Sequence, residues 1–456
     1  MYPKTFLDKN KETRINELFE FLRFPSVSAK SENKKDVLAC ARWLADHLNK
    51  KVGIESKIMP TAGHPVVYGS KVSSPDKLTV LYYGHYDVQP PEPLGLWKTE
   101  PFNPIIDGDY IIARGSTDDK GQLLTHLKAL EAYHATGTEL PVNIKLLIEG
   151  EEESGAENLA KFVEENADML KADIIVVSDG SQFDKDKPAV TYGLRGVTSV
   201  ELKITGPDRD LHSGGFGGSV PNPVNVLARV IAAMHDDDGK VLVDGFYDDV
   251  MPISDWERKQ FAKLPFDKKD YLKKVGCKGL HGEKGYSVYE QIWARPTLDV
   301  NGIMGGYQGE GGKTIIPSWA LAKITMRLVP NQKADDICDK FEKFVKKVCP
   351  DYVECEVYKH GGAAAVVVPT EGPWLEASAR AIKTGFGIEP VFTKEGGSIP
   401  IVGTFKNVLG VDTLLLGWGQ NDDNAHSPNE RFSVNDFHRG CYAGLALIEE
   451  LAKVKV

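Results

Sequence analysis

The chain has 456 residues, 41% of them hydrophobic and 26% charged, which is enough apolar material for more than one core. Its formal net charge of −10 argues against nucleic acid or an anionic membrane as the main partner, because neither would attract this surface. A small-molecule substrate fits better.

Residues 1–14 are polar and of mixed charge, without the basic start and apolar core of a secretory signal. Apolar runs such as Ile174–Val177 are strand-length and bounded by Asp or Gly, so no membrane-spanning helix is expected. The six cysteines (Cys40, Cys277, Cys338, Cys349, Cys355, Cys441) form no CxxC pair and are too scattered for a disulfide scaffold. They read as reduced thiols, and the chain as a cytoplasmic protein.

In chain order, Glu12–Leu22 and Val37–Leu48 carry apolar residues at helical spacing. Leu78–Tyr83 reads as a buried strand, Gly121–His134 as a helix, and Asn143–Ile148 and Asp173–Val177 as further strands. This alternation predicts an α/β unit with a largely parallel sheet. From about Leu194 the texture changes. Val197–Gly206 and Ala320–Leu328 alternate like half-exposed strands, and Asn222–Met234 and Asp335–Val348 are helical, which predicts a separate α+β domain with a sheet open on one face. Between them lies the polar, aromatic stretch Asp236–Gly282, whose acidic run Asp236–Asp238 reads as a solvated loop. After Pro369 the first texture returns, with a helix near Leu375–Thr384, a strand at Asp412–Leu416 and a helix at Asp436–Ala452. The expected organisation is a catalytic domain made of residues 1–193 and 367–456, with residues 194–366 inserted into it.

Ligands of open parallel sheets bind beyond the carboxyl ends of the strands, so polar residues just after the predicted strands come first. His85 and Asp87 leave the first such strand together; one could ligate a metal while the other orients the imidazole. The Gly-flanked turn Ala113–Gly121 brings Asp118 and Asp119 to a helix start, where acids serve either as ligands or as partners of the helix dipole. Glu151, Glu152 and Glu153 follow a buried strand at once, and three adjacent glutamates there repel one another unless a cation compensates. Asp179 follows the next strand, and His426 lies in a loop past Asp412–Leu416. Two histidines with several carboxylates make the ligand set expected for a pair of divalent ions sharing a bridging carboxylate.

With these residues in view, the sequence resembles the M20 metallopeptidases, most closely their cytosolic nonspecific dipeptidase and carnosinase branch. The resemblance is carried by GHYDVQP at 84–90, ARGSTDDKG at 113–121, EGEEESG at 149–155, SDG at 178–180, DLHSGGFGG at 210–218, RLVPN at 327–331, EGGSIP at 395–400 and AHSPNE at 425–430, in the family's order. It implies a phosphorylase/hydrolase-like α/β catalytic domain of the zinc-peptidase type with an inserted α+β lid or dimerisation domain. It also implies hydrolysis of the amide bond of a dipeptide or similar small peptide, with two divalent ions per subunit, Zn²⁺ or Mn²⁺. Asp118 would bridge the ions, His85 and Asp179 would complete one, and Glu153 and His426 the other. Asp87 would orient His85, Glu152 would be the general base, and the peptide between Asp118 and Asp119 would be cis. The resemblance further implies His212 as a stabiliser of oxyanion charge supplied across a homodimer, and Arg327 as the partner of a substrate carboxylate, helped by Thr314, Gly397 and Ser398. Tyr86 and Lys394 depart from the family's usual residues, which touches fine specificity only.

Two other readings fit the same residues. An N-acyl or N-carbamoyl amino-acid amidohydrolase would keep fold and metals, since its substrate is also an amide beside a carboxylate. A catalytically silent metal-binding scaffold would have no need of a base such as Glu152.

Overall fold

The computed structural model describes residues 1–370, 372–397 and 399–455. The chain forms two compact units, one of Met1–Tyr192, Val368–Thr393 and Thr404–Val456, the other of Gly193–Val367 and Lys394–Gly403.

The first unit is built on a sheet with a parallel centre. Strands Asn143–Glu149, Thr79–His85, Ile174–Ser178 and Thr413–Gly417 lie side by side in that order, all parallel. Antiparallel Val66–Lys71 and Glu55–Met59 extend one edge, and Ala189–Leu194 the other. Ile174–Ser178 and Thr413–Gly417 are buried at every residue, as strands covered on both faces must be, which is why they read as unbroken apolar runs. Helix Lys120–Thr136 is buried through Tyr133 and ends on Gly137 in the left-handed conformation at φ 64°. Of its inward polar groups, Lys128 is fully engaged, whereas Nδ1 of His126 is buried without a hydrogen-bond partner. The ammonium of Lys128 bonds Glu17, Glu131 (2.6 Å) and Nε2 of His47 (3.2 Å), tying helices Lys11–Leu22 and Lys34–His47 to it. No helix among the described residues is long and apolar enough to cross a membrane.

Two buried histidines of this unit give a pH dependence. Burial lowers the pKa of His126, which lies between Tyr82 and Trp418, to about 3. Burial, with the charges of Lys128 and Lys51, lowers that of His47 to about 2. An unfolded chain protonates both near 6.5 and the folded chain does not, so their contribution is present above pH 6.5 and is lost as pH falls, by roughly 1.4 kcal/mol per pH unit for each. Relative to wild type, His126→Gln should therefore regain stability on going from pH 7 to pH 5 in urea unfolding. Parallel pH profiles for the two proteins would contradict this.

The second unit carries a four-stranded antiparallel sheet in the order Thr297–Gly305, Trp319–Leu328, Gly196–Thr205, Glu354–Ala363. Gly196–Thr205 alternates buried and half-buried at every step, the pattern of a sheet with one covered face. That face packs Val200, Leu202, Ile324 and Met326 against Val226 and Val230 of helix Pro223–Ala232 and Phe341 of helix Ala334–Val348. The stretch after Asp236 is more ordered than its composition suggests. Helix Asp255–Lys263 starts with a Ser254–Glu257 capping box, and Lys268–Val275 is capped by Asp267. Asp236 itself folds back on the N–H groups of Asp238 and Lys240, and the run 236–238 is largely exposed. The expectation of six reduced thiols is corrected at one place. Cys349, just past a helix, and Cys355, near the start of the next strand, are joined as a disulfide across the connecting turn; the other four cysteines are free.

Candidate metal centre

The parallel register brings the carboxyl ends of the central strands to one edge. His85 ends its strand opposite Glu149, and Tyr83 lies opposite Val177, one residue before the strand end at Ser178. The segments that follow these ends carry Glu151–Glu153 and Asp179, while Asp118 immediately precedes the helix-start residue Asp119. His426 arrives on the loop after Thr413–Gly417, in the left-handed conformation at φ 60°.

These side chains converge. One oxygen of Asp118 is 3.2 Å from Nε2 of His85, and its other oxygen is 2.9 Å from Nε2 of His426. Asp179 approaches His85 Nε2 at 3.8 Å, and Glu153 approaches His426 Nε2 at 3.1 Å. Two triplets result, His85–Asp118–Asp179 and Asp118–Glu153–His426, each with its ligand atoms within 4.8 Å of one another, and Asp118 belongs to both. On the far side of His85, Nδ1 is 3.1 Å from the carbonyl of Asp87 and 3.4 Å from its carboxylate. Donation from Nδ1 leaves the Nε2 lone pair aimed at Asp118 and Asp179. The other oxygen of Asp87 accepts the N–H of Glu153 at 3.1 Å, so a single aspartate braces a residue of each triplet.

The electrostatics are those of a cation site. Nε2 of His85 is fully buried and makes no hydrogen bond, although carboxylate oxygens surround it. Burial works against a charge on His85, but Asp118, Asp87 and Asp179 together raise its pKa well above the usual value. Burial would also raise Asp118, yet the two imidazoles on its oxygens hold it below the ordinary carboxylate range. Burial and then the charge of Asp118 push Asp179 well up. Glu152 is raised by burial and by the charges of Glu153, Asp118 and Asp87. His426 is lifted to about 10 by Asp118 and Glu153. Carboxylates crowded in this way lower their energy by sharing a multivalent cation, and the oxygen and imidazole donors suit a divalent metal ion.

The structure also gives the neighbouring acids other work. Glu151 is turned away and accepts from the N–H groups of His64 and Asn158 and from the Asn158 amide. Asp119 sits behind His85 and accepts its backbone N–H at 3.2 Å. The Asp118–Asp119 peptide is cis. Tyr86 is fully buried and lies against Gly150, where a Cβ would come within 2.3 Å of its ring. Gln89 escaped the residue-by-residue reading although it stands in the GHYDVQP motif: its amide donates to the Glu153 carboxylate at 2.9 Å and to its carbonyl at 3.1 Å. A further cluster of ligand types, Glu17, His47 and Glu131, has the Lys128 ammonium at its centre in the place a metal would take.

The remaining expected residues lie in the second unit. His212 ends a two-residue strand paired with Ile315–Ile316, is exposed, and accepts the N–H of Gly214 at 3.0 Å. The carbonyl of the exposed Thr314 accepts the N–H of Ser213 at 3.0 Å. Arg327 is half-buried in the central strand Trp319–Leu328, near Arg195, whose pKa burial and the Arg327 charge lower to about 10. Gly397 has open space where a side chain would stand, and Ser398 lies outside the described residues.

Paired imidazole–carboxylate triplets sharing one aspartate at the carboxyl edge of a parallel sheet are the arrangement of a metal-dependent hydrolase. The profile of peptidase family M20/M25/M40 matches residues 81–450, and the chain belongs to that family; it is a hydrolase of peptide bonds. It is 36% identical over 457 residues to a protein of Candida albicans named Cys-Gly metallodipeptidase DUG1, covering 95% of this chain and 94% of the relative. It is 33% identical over 402 residues to the human Beta-Ala-His dipeptidase, covering 86% and 78%. Among solved structures, an M20 metallo-carboxypeptidase from Sulfolobus solfataricus superposes with TM-score 0.85 at 34% identity over 97% of this chain and 99% of the other.

Proposed function

We propose that the protein is a dinuclear metallodipeptidase. The observation that carries this reading is Asp118, with one oxygen toward His85 and the other toward His426. His85 and Asp179 would hold one ion, Glu153 and His426 the other, and Asp118 both. When bound, such ions lower the pKa of a water and polarise the scissile carbonyl. Glu152, whose pKa burial and the neighbouring carboxylates raise, accepts the proton of the attacking water and returns it to the leaving nitrogen. Asp87 holds His85 in the tautomer that presents Nε2.

On motif match, Arg327 forms the two-point contact with the free carboxylate of the substrate, and Thr314, Gly397 and Ser398 serve as its helpers. His212, supplied by a second copy of the chain, donates to the developing oxyanion. The reading includes a homodimer through residues 194–366 and a cytoplasmic enzyme loaded with Zn²⁺ or Mn²⁺. Elution as a monomer at assay concentration would remove the shared site.

The stripped enzyme, reloaded with each ion, should hydrolyse Cys-Gly and β-Ala-His more efficiently than N-acetyl or N-carbamoyl amino acids or tripeptides. The measurement is kcat/KM across that panel. A preference for the acylated amino acids would overturn the dipeptidase reading and leave the metal centre standing.

A further inference from the structure

We propose that Glu430 is a positioning residue for the metal centre: with Arg114 it clasps together the two loops that carry Asp118 and His426, and so sets the separation of those side chains. The proposal rests on reading Asp118 and His426 as ligands, and its test keeps the two apart.

Glu430 is fully buried, four residues beyond His426. One of its carboxylate oxygens accepts from Nη1 of Arg114 and from the N–H of Gly115, each at 2.8 Å. The other accepts the N–H of Thr117 at 2.9 Å and of Asp118 itself at 3.1 Å. Its own backbone carbonyl accepts the N–H of Ala113 at 3.1 Å. Every donor lies on the segment 113–118 that delivers Asp118. Arg114 returns the grip, since its Nη2 reaches the carbonyl of Ser427, next to His426, at 3.3 Å and that of Pro90 at 3.4 Å. The guanidinium also lies over the Trp97 ring, 5.5 Å from its centre.

The chemistry asks for a carboxylate at this point. Four N–H donors converge on one side chain, and only an acceptor-only group satisfies them all; a Gln amide would turn its own N–H toward some of them. A buried charge is tolerated where it is paired and hydrogen-bonded; both oxygens of Glu430 meet that condition, while Nε of its partner Arg114 is buried without a hydrogen bond. Asn424, His426 and Asn429 all adopt positive φ, at 57°, 60° and 62°, left-handed turns that suit these residue types and give the loop its path past Asp118. Groups that orient metal ligands without touching the metal commonly control affinity or activity by about 10–100-fold.

The alternative is a buried ion pair that supports the fold alone, and metal affinity separates the two. Full-length Glu430→Gln is stripped, confirmed as folded by circular dichroism, and titrated calorimetrically with Zn²⁺ and Mn²⁺; kcat and KM for Cys-Gly are then measured at saturating metal. The clasp predicts affinity weaker by about 10–100-fold and a lower kcat with little change in KM. Wild-type affinity and kcat in the folded variant, with thermal stability alone reduced, would overturn it. If Glu430→Gln does not fold, Arg114→Lys carries the test with the same two outcomes, because it keeps the charge but loses the fork that spans Glu430 and Ser427. Asp118→Asn is titrated alongside. If it binds metal like wild type, the ligand reading fails and the clasp with it. If it loses binding while Glu430→Gln retains it, the clasp alone fails.

Discussion

Replacing Glu152 with Gln should leave the metal content at the wild-type level and lower kcat by a factor of about 10²–10⁴, the range that a positioned general base contributes. The substitution preserves shape and removes the ability to take a proton. Glu152 suits the task because burial and the charges of Glu153, Asp118 and Asp87 raise its pKa, which moves a carboxylate toward the neutral range where it can both accept and release a proton. Its neighbour Glu153 provides the contrast. That carboxylate is 3.1 Å from His426 Nε2 and is held by the Gln89 amide, a ligand's environment, so Glu153→Gln should lose metal as well as turnover. Metal analysis of both variants beside steady-state kinetics on Cys-Gly distinguishes the roles. Near-wild-type hydrolysis by Glu152→Gln would remove it as the base. Loss of metal from that variant would make it a ligand instead.

How much of this could be read from the sequence depends on the range of the interactions involved. The parallel centre of the sheet was legible because strands covered on both faces must be apolar throughout, and Ile174–Ser178 and Thr413–Gly417 are buried at every position. The open-faced sheet of the second unit was legible for the complementary reason, since a half-covered strand alternates, as Gly196–Thr205 does. Reading the strand ends and the loops near them then collected His85, Asp118 with Asp119, Glu151–Glu153, Asp179 and His426 as candidates, and the family resemblance picked Asp118 and Glu153 among neighbours; the structure brings His85, Asp118, Glu153, Asp179 and His426 together. Adjacent acids were another matter. Nothing in EEE or DD tells which carboxylate turns toward its neighbours in the chain and which toward distant residues; the structure gives Glu151 to His64 and Asn158, and Asp119 to the His85 amide. Helix Asp255–Lys263 was missed beneath a polar composition, although its Ser254–Glu257 capping box is a local signal that could have found it. Glu430 had no local signal at all, because its partners lie more than 300 positions earlier in the chain. The Lys128 network likewise joins three helices through residues that are unremarkable one by one.

Removing the metal should abolish activity and lower the thermal stability of the protein, and both should return on adding Zn²⁺ or Mn²⁺. Asp118, Asp179 and Glu153 face inward toward one another with His85 and His426 as their partners, and burial already strains the ionised forms, as the upward push on Asp179 and Glu152 shows. A cation in each triplet relieves that repulsion, and any ion that binds the folded chain alone adds stability in proportion to the logarithm of its free concentration over Kd. At a thousandfold excess this is about 4 kcal/mol. The effect should be larger at neutral pH than in acid. Protons and metal compete for the same oxygens and imidazoles; in the stripped protein His426 holds its proton up to about pH 10 and His85 and Asp179 hold theirs well above their ordinary ranges, so the difference between stripped and loaded protein should shrink steadily as pH falls from above neutrality into acid. Differential scanning calorimetry of the chelator-treated and reloaded protein at pH 7.5 and pH 5 measures both trends. An unchanged Tm on stripping at pH 7.5 would mean that these carboxylates reach a stable arrangement without a cation, and the metal assignment would then fall even if some activity survived.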